Sequence, residues 1–369
     1  MKNDRDLVKD MLRDRITDLC AQLLPDGKRK GHLWVAHNPV LQDFDQSPEF
    51  KVYLNRSIGA WVDYRSGEKG DVIGLVAYCL QVEFAEAMVW SRNFLGLSSM
   101  SGFDRRAAEA RAAEARRTAE ERNEANRLKH QLAAEKLYDR GFQDGANSTA
   151  EALARAYFAA RRCPLDLVPN RDLQTFRFSA STEYWQKATW TEENGRRIKT
   201  RKGPDFPAVH SAMRAPAGQV TAVHLTFLHP SRPEKAPVAP GSAKLMYGEA
   251  GGSMIRISHG PEGEPPETAL AAHPLVLCEG IEDALSLAIA IPEARVWAAG
   301  SLNMMAKAPV WLPCIGPVIV ARDNDWGKKQ AEEQFDQVLE QLSAAGKPMT
   351  VISSHVGKDF NDLAQEEGA

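Results

Sequence analysis

The chain has 369 residues, a formal net charge of −3 and 43% apolar residues, enough to bury a sizeable core in two or more domains and too little positive charge to hold nucleic acid by overall charge alone. No apolar run approaches the roughly 20 residues of a bilayer span, and the stretch from Met1 to Asp10 is charged where a secretory leader would turn apolar, so a cytoplasmic protein with no membrane attachment is expected. Five scattered cysteines (Cys20, Cys79, Cys163, Cys278, Cys314), none at CxxC spacing, argue against a disulfide framework or a cysteine zinc site.

In chain order, apolar residues from Leu7 to Leu24 recur at helical steps, which predicts one amphipathic helix over 6–24, stopped by Pro25-Asp26-Gly27. "FKVYLNRSIGAWVDY" (50–64) reads as two strands around a turn near Arg56 to Gly59, and "GDVIGLVAYCL" as a helix capped by Asp71. Residues 104–142 are rich in Ala, Glu and Arg, with opposite charges three or four apart. They predict a helix of roughly 60 Å, a solvated spacer, a coiled coil or an RNA-binding arm.

Beyond it, Asn194-Gly195 marks a hairpin whose second strand carries Arg197, Lys199 and Arg201 at period two, so an extended backbone would turn all three to one side. With Trp190 across the hairpin, that stripe is either a track for a nucleic-acid backbone or a solvated strand face. "GQVTAVHLTFLHP" (218–230) predicts a strand pair or one long strand, and "RPEKAPVAPGSAKLMYG" a proline-rich loop with two lysines. From His273 onward strands and helices alternate, the pattern of a parallel sheet with helices on its faces. The expected fold class is thus α+β with α/β, multidomain: a small N-terminal α+β unit (1–98), a long helical linker (99–145), a basic subdomain (146–270) and the parallel-sheet domain (271–369).

In such sheets functional groups gather at the carboxyl ends of the strands. Glu279-Gly280 follows the first strand, Gly300-Ser301 the second, Asp323-Asn324-Asp325 the third, and Lys358-Asp359 with Asp362 the fourth. Aspartates one residue apart repel unless a cation lies between them, and oxygen ligands on several loops suit Mg²⁺. By itself the pair reads more simply as turn residues with Asp325 capping the next helix, and it is the order of all four strand ends that points to a site.

"VLCEGIEDALSLA", "VWAAGSLN", "VIVARDNDWGKKQAEE" and "GKDFNDL" together resemble the Toprim domain, most closely its DnaG-type primase branch, over roughly residues 273–365. The resemblance implies Mg²⁺ or Mn²⁺ as cofactor. It makes Glu279 an acid/base or metal carboxylate, Asp323 and Asp325 the principal metal ligands, Asp359 a further acid near the metals and Lys358 its basic companion. Asp283 matches an acid of the first helix, where a solvated or capping role is equally open. "SAKLMYG" is similar to the lysine-containing stretch preceding the domain in primases, which implies Lys244 as a nucleotide-binding residue, with Arg214, His224 and Lys235 as further candidates; each of these cations reads alternatively as a surface charge.

The N-terminal unit is similar in layout to the primase zinc ribbon, yet Asp63, Arg65 and Ser66 stand where paired cysteines would, and only His32 and His37 are near. A degenerate ribbon held by its own core is expected, without zinc, as in phage- and plasmid-borne relatives. The implied function is primase-like synthesis of RNA primers on single-stranded DNA from nucleoside triphosphates. Phosphodiester cleavage by a Toprim nuclease and a DNA-binding accessory role are the alternatives. No GxxxxGK[ST] loop occurs, so a separate replicative helicase is the expected partner.

Overall fold

The computed structural model describes residues 4–41, 47–97, 102–193, 196–324, 329–355 and 357–366. The chain divides into two compact units, Met1–Asn123 and Glu124–Ala369, the division falling inside the long helix. Among the described residues no single helix is long and apolar enough to cross a membrane.

In the first unit, α1 (Asp4–Asp14) and α2 (Ile16–Leu23) replace the single helix expected over 6–24; the chain breaks at Arg15 (φ −111°, ψ 26°). An antiparallel meander follows, β1 (Lys28–Lys30), β2 (Leu33–Ala36), β3 (Phe50–Tyr53), β4 (Trp61–Asp63) and β5 (Lys69–Gly70). β3 and β4 are the expected pair. β1 and β2 carry no strong sequence signal, being short and partly charged. Asp71 caps α3 (Val72–Leu80) by accepting from the amides of Ile73 and Gly74 at 3.1 and 2.9 Å, and α4 (Phe84–Phe94) closes the unit.

Its core gathers Leu12, Leu19, Val52 and Val76 around a cluster of Phe50, Trp61 and Tyr78, whose ring centroids lie 4.6–5.8 Å apart. The turn after β4 is pinned by hydrogen bonds. The fully buried Asp63 accepts from Asn38 Nδ2 at 2.8 Å and Ser66 Oγ at 2.7 Å, which holds its carboxyl below the ordinary range although burial opposes this.

The long helix α5 (Gly102–Tyr138) enters the second unit, where Ala134 and Tyr138 become buried. An antiparallel sheet in the order β12-β11-β10-β7-β6 is built from β6 (Phe142–Gln143), β7 (Phe176–Glu183), β10 (Asp205–Arg214), β11 (Val220–Phe227) and β12 (Lys244–Gly248). α6 (Thr149–Ala160) packs on it, and β8 (Thr189–Glu193) with β9 (Arg196–Arg201) forms a separate ribbon. The Asn194-Gly195 turn lies outside the described residues. Lys244 sits on a strand instead of the expected loop, because it pairs with Thr226 of β11.

The C-terminal sheet runs β13-β15-β14-β16-β17: β13 (Ile255–His259), β14 (His273–Cys278), β15 (Arg295–Ala298), β16 (Ile315–Arg322) and β17 (Met349–Ser353). The last four are parallel, as expected. β13 adds an antiparallel edge the alternation did not reveal. Helices α7 (Ile281–Ala290), α8 (Leu302–Met305), α9 (Lys329–Ser343) and α10 (Phe360–Glu366) follow successive strands. β14 is buried on both faces. Val276 and Cys278 join the core shared with α6 and α7, while Leu275 and Leu277 join the one beneath α9.

His210 fastens α5 to the antiparallel sheet. Its Nδ1 donates to the Leu137 carbonyl at 2.9 Å, which leaves Nε2 to accept from Thr182 Oγ1 at 2.8 Å. Burial lowers its pKa to about 4. The unfolded chain takes up a proton below about pH 6.5 that the folded chain refuses, so stability falls as pH drops from there towards 4, by up to about 3 kcal/mol, and is unaffected above. Urea denaturation at pH 7 and pH 4.5 should show that drop, reduced in His210→Gln; identical drops in both proteins would contradict it.

Candidate acidic site at the carboxyl ends of the parallel strands

Parallel pairing of β14 with β15 and β16 brings their carboxyl ends to one edge. Gly300 N donates to Glu279 O at 2.9 Å, joining the first two strand ends directly. Glu279 and Asp323 line one cavity of about 20 Å³ with Arg322, Leu302, Met305 and Phe335, room for a single small ion or water.

Asn324 latches the third strand end to the fourth. Its amide donates to Lys358 O at 2.7 Å, and its Nδ2 donates to Ser354 O at 2.7 Å and Gly357 O at 3.1 Å. Asp359 is thereby brought in, its Oδ1 capping α10 by accepting from Asp362 N at 2.9 Å.

Behind this edge lies Asp283, buried and accepting from Asn361 N at 3.0 Å. Of the two roles left open by the sequence it is not solvated, and it caps the start of α10. Burial, then the charges of Asp359 and Asp323, push its carboxyl up to about 7. Burial and the charges of Asp283, Asp323, Glu279 and Glu282 likewise raise the Cys278 thiol. Glu279 and Asp323 are thus brought to one cavity, with Asp283 behind them.

Two glycines make the convergence possible. A Cβ at Gly280 would lie 2.2 Å from Asp283 Oδ2, so only a bare backbone lets that carboxylate fold back over the helix start. Gly300 has φ of 80°, and its Cβ would stand 2.9 Å from Met246 Cε and 3.4 Å from His224 Cδ2.

Among the described residues no group of three or more His, Cys, Asp or Glu is placed to hold a metal; Asp325 lies outside them. An all-oxygen pair of carboxylates at a small cavity nonetheless fits Mg²⁺, which commonly takes one or two carboxylates, keeps water, and shares substrate phosphates. Burial is the main cause of the raised Asp283 carboxyl, and a cation at this edge would offset only the further rise from Asp359 and Asp323.

The residue the sequence reading missed is Glu282. The second residue of α7 and 5% exposed, it accepts from Lys244 Nζ at 2.8 Å, pairs with Lys235 Nζ at 3.2 Å, and accepts from the Tyr157 hydroxyl at 2.6 Å. Burial opposes its charge, but Lys244 and Lys235 hold its carboxyl well below the usual range. The two lysines respond differently. Burial lowers Lys235 despite Glu282, whereas at Lys244 the attraction of Glu282 overcomes burial and raises it. Glu282 and Asp283 both fall in the first turn of α7, just after the strand-end Glu279, and that clustering of acids is the local signal that could have singled out Glu282. Nothing local points to Tyr157.

Other expected residues separate. Arg214 pairs with Val220 while Lys244 pairs with Thr226, six positions or roughly 20 Å along β11. Arg214 instead donates to the carbonyls of Gly218 and Gln174 at 2.9 and 3.0 Å, so it is not brought to the lysine pair. His224 is buried, its pKa lowered to about 4 by burial and then by Lys244. Lys199 binds Glu183 at 2.8 Å and lies 5.1 Å over the Trp190 ring. A register shift between Thr189 and Trp190 separates Lys199 from the exposed Arg201, interrupting the strict alternation; the Arg197 side chain lies outside the described residues.

Compared with known proteins, residues 274–369 match the Toprim domain family, and residues 112–257 match a domain of unknown function, DUF7146. No curated protein matches. Among solved structures, the chain is similar to the zinc-binding and RNA polymerase domains of the Aquifex aeolicus primase (14% identity, TM-score 0.40, covering 100% of this chain and 83% of that one). It is also similar to a primase domain from Pseudomonas aeruginosa (14%, 0.42, 64% and 74%) and to the E. coli primase catalytic core (16%, 0.40, 61% and 72%).

Replacing Glu282 by alanine strands two half-buried ammonium groups and a buried phenol. Partial exposure of the lysines tempers the loss to about 2–3 kcal/mol, measurable as a lowered denaturation midpoint, with Glu282→Gln losing less. An unchanged midpoint would show that the lysines find other partners.

Proposed function

We propose that this Toprim-domain chain is a primase-like nucleotidyltransferase that synthesises RNA primers on single-stranded DNA in the cytoplasm, serving phage or plasmid replication beside a separate helicase. The observation that carries the reading is that Glu279 and Asp323 line one cavity next to the helix whose Glu282 fixes Lys235 and Lys244. Carboxylates for a divalent cation and ammonium groups for phosphate oxygens are the two complements a nucleoside triphosphate requires.

In this reading Mg²⁺ or Mn²⁺ would be held by Glu279 and Asp323, with Asp325 and Asp359 completing the set; when bound, it lowers the charge barrier between triphosphate and attacking 3′-hydroxyl. The chain itself orients the reactants. Lys244 has two ammonium hydrogens beyond the one given to Glu282, and directs them at phosphate oxygens with Lys235. Glu279 serves the 3′-hydroxyl proton, and the Asn324 latch keeps the Lys358 and Asp359 segment beside the acids. The β8–β9 ribbon with Arg197, Lys199 and Arg201 contacts the strand backbone. Arg214, roughly 20 Å along β11 from Lys244, takes no part. The N-terminal unit is the counterpart of the zinc ribbon, held by its aromatic cluster and the Asp63 hydrogen bonds.

Labelled ribonucleotide incorporation on single-stranded DNA with Mg²⁺ or Mn²⁺ provides the test. Asp323→Ala and Glu279→Gln should each lower primer synthesis on the order of a hundred-fold or more, and Lys244→Ala should chiefly raise the KM for nucleotide. Degradation of the template would assign the same carboxylates to a nuclease. Strand binding without either reaction, unaltered in both acid variants, would leave an accessory DNA-binding protein.

A further inference from the structure

Strand β12 has two faces with different surroundings. Met246 packs towards Gly300 and Lys244 reaches Glu282, whereas Leu245 and Tyr247 point the other way, as alternation requires. On that second face, wholly within the second unit, lies a recess of about 510 Å³, well inside the range of small-ligand sites. Neither the carboxylates of the acidic edge nor the pair Lys235 and Lys244 lines it, and of the ribbon's cations assigned above to the strand backbone it takes Lys199.

Three aromatic rings line it: Trp185, Trp190 and Tyr247. Trp185 and Tyr247 meet at 69° with centroids 6.0 Å apart, so they form a corner and do not fill the space with a stack. Trp190 and Tyr247 are each 38% exposed, which leaves ring surface to a ligand. The buried His210 contributes to the lining, and Arg140 and Lys199 bring cations. Lys199 is held in place by Glu183, and its ammonium lies over the Trp190 ring.

The charge pattern selects the ligand's chemistry. Two carboxylates, Glu183 and Asp205, lie in the lining, paired with Lys199 and Lys202 at 2.8 and 2.7 Å; they disfavour a phosphate deep inside, and the polar wall disfavours a purely aliphatic guest. A flat ring bearing donor groups suits both, since it stacks on indole and offers hydrogen to carboxylate oxygens. Its phosphate would then face Arg140 and Lys199, which combine charge with adjacent aromatic surface as single-strand-binding grooves do.

We propose that this recess receives one unpaired nucleobase, stacked on Trp190 at the corner formed by Trp185 and Tyr247, with the attached phosphate towards Arg140 and Lys199. The base can come from a free mononucleotide or from a single strand. The proposal stands on the second face of β12 and survives failure of the primase reading. A chain that binds bases here and makes no primer keeps the recess and loses the reaction.

Fluorescence anisotropy of a fluorescein-labelled 12-mer single strand with the full chain, in parallel with its duplex, tests it. Single strand should bind more tightly than duplex. Trp190→Ala should weaken strand binding roughly ten-fold, Tyr247→Ala should weaken it too, and Trp190→Phe should retain most of it. Trp311→Ala, an exposed tryptophan outside the recess, should change nothing. Displacement of the strand by millimolar AMP or GMP, lost in Trp190→Ala, identifies the free nucleotide as sufficient. Binding that resists the mononucleotides but falls in Trp190→Ala identifies a base within a strand. Equal affinity of Trp190→Ala and the parent chain, or equal affinity for strand and duplex, overturns the proposal.

Discussion

The second unit is organised around one buried carboxylate. Glu282 draws together α6 through Tyr157, the segment before β12 through Lys235, β12 through Lys244, and α7, on which it sits. A lone ionised glutamate at this depth would be costly, and two ammonium groups with a phenol replace the water it has lost. The arrangement couples the antiparallel sheet to the parallel one by charge as well as by the apolar core they share. It leaves one net positive charge, on Lys235 and Lys244, beside the start of α7 and the acids next to it.

The acidic edge depends on backbone connections more than on the acids themselves. Parallel pairing sets the strand ends level, Gly300 N to Glu279 O ties the first two, and Asn324 ties the last two. Carboxylates at this density would repel the loops apart if only side chains held them. Burial, and after it the charges of Asp359 and Asp323, raise the Asp283 carboxyl, the opposite of what Lys235 and Lys244 do to Glu282 one position earlier.

Much of this was legible in the sequence, and what was not has a common cause. The apolar strands from His273, the helices between them and the acids at their ends follow from local periodicity, and Glu279 with Asp323 do line one cavity. Asp325 falls outside the described residues. The errors arose where a residue's setting depends on register with a distant strand. Lys244 lies on β12 only because of its pairing with Thr226, and the same ladder carries Arg214 away from it. Asp283 was open to a solvated role because nothing local shows that Asn361, 78 residues later, covers it. Antiparallel β13 joins the sheet through β15, some 40 residues further on, a contact no alternation reveals.

The absent Cβ at position 280 has an evolutionary corollary. Asp283 Oδ2 occupies the space a methyl group would need, 2.2 Å from its ideal position, so glycine and aspartate behave as one unit of inheritance. Lineages that lose the aspartate are released from the glycine, whereas in those that keep it a larger residue must push the carboxylate out of its place; an alignment of descendants should show the two positions drifting in concert.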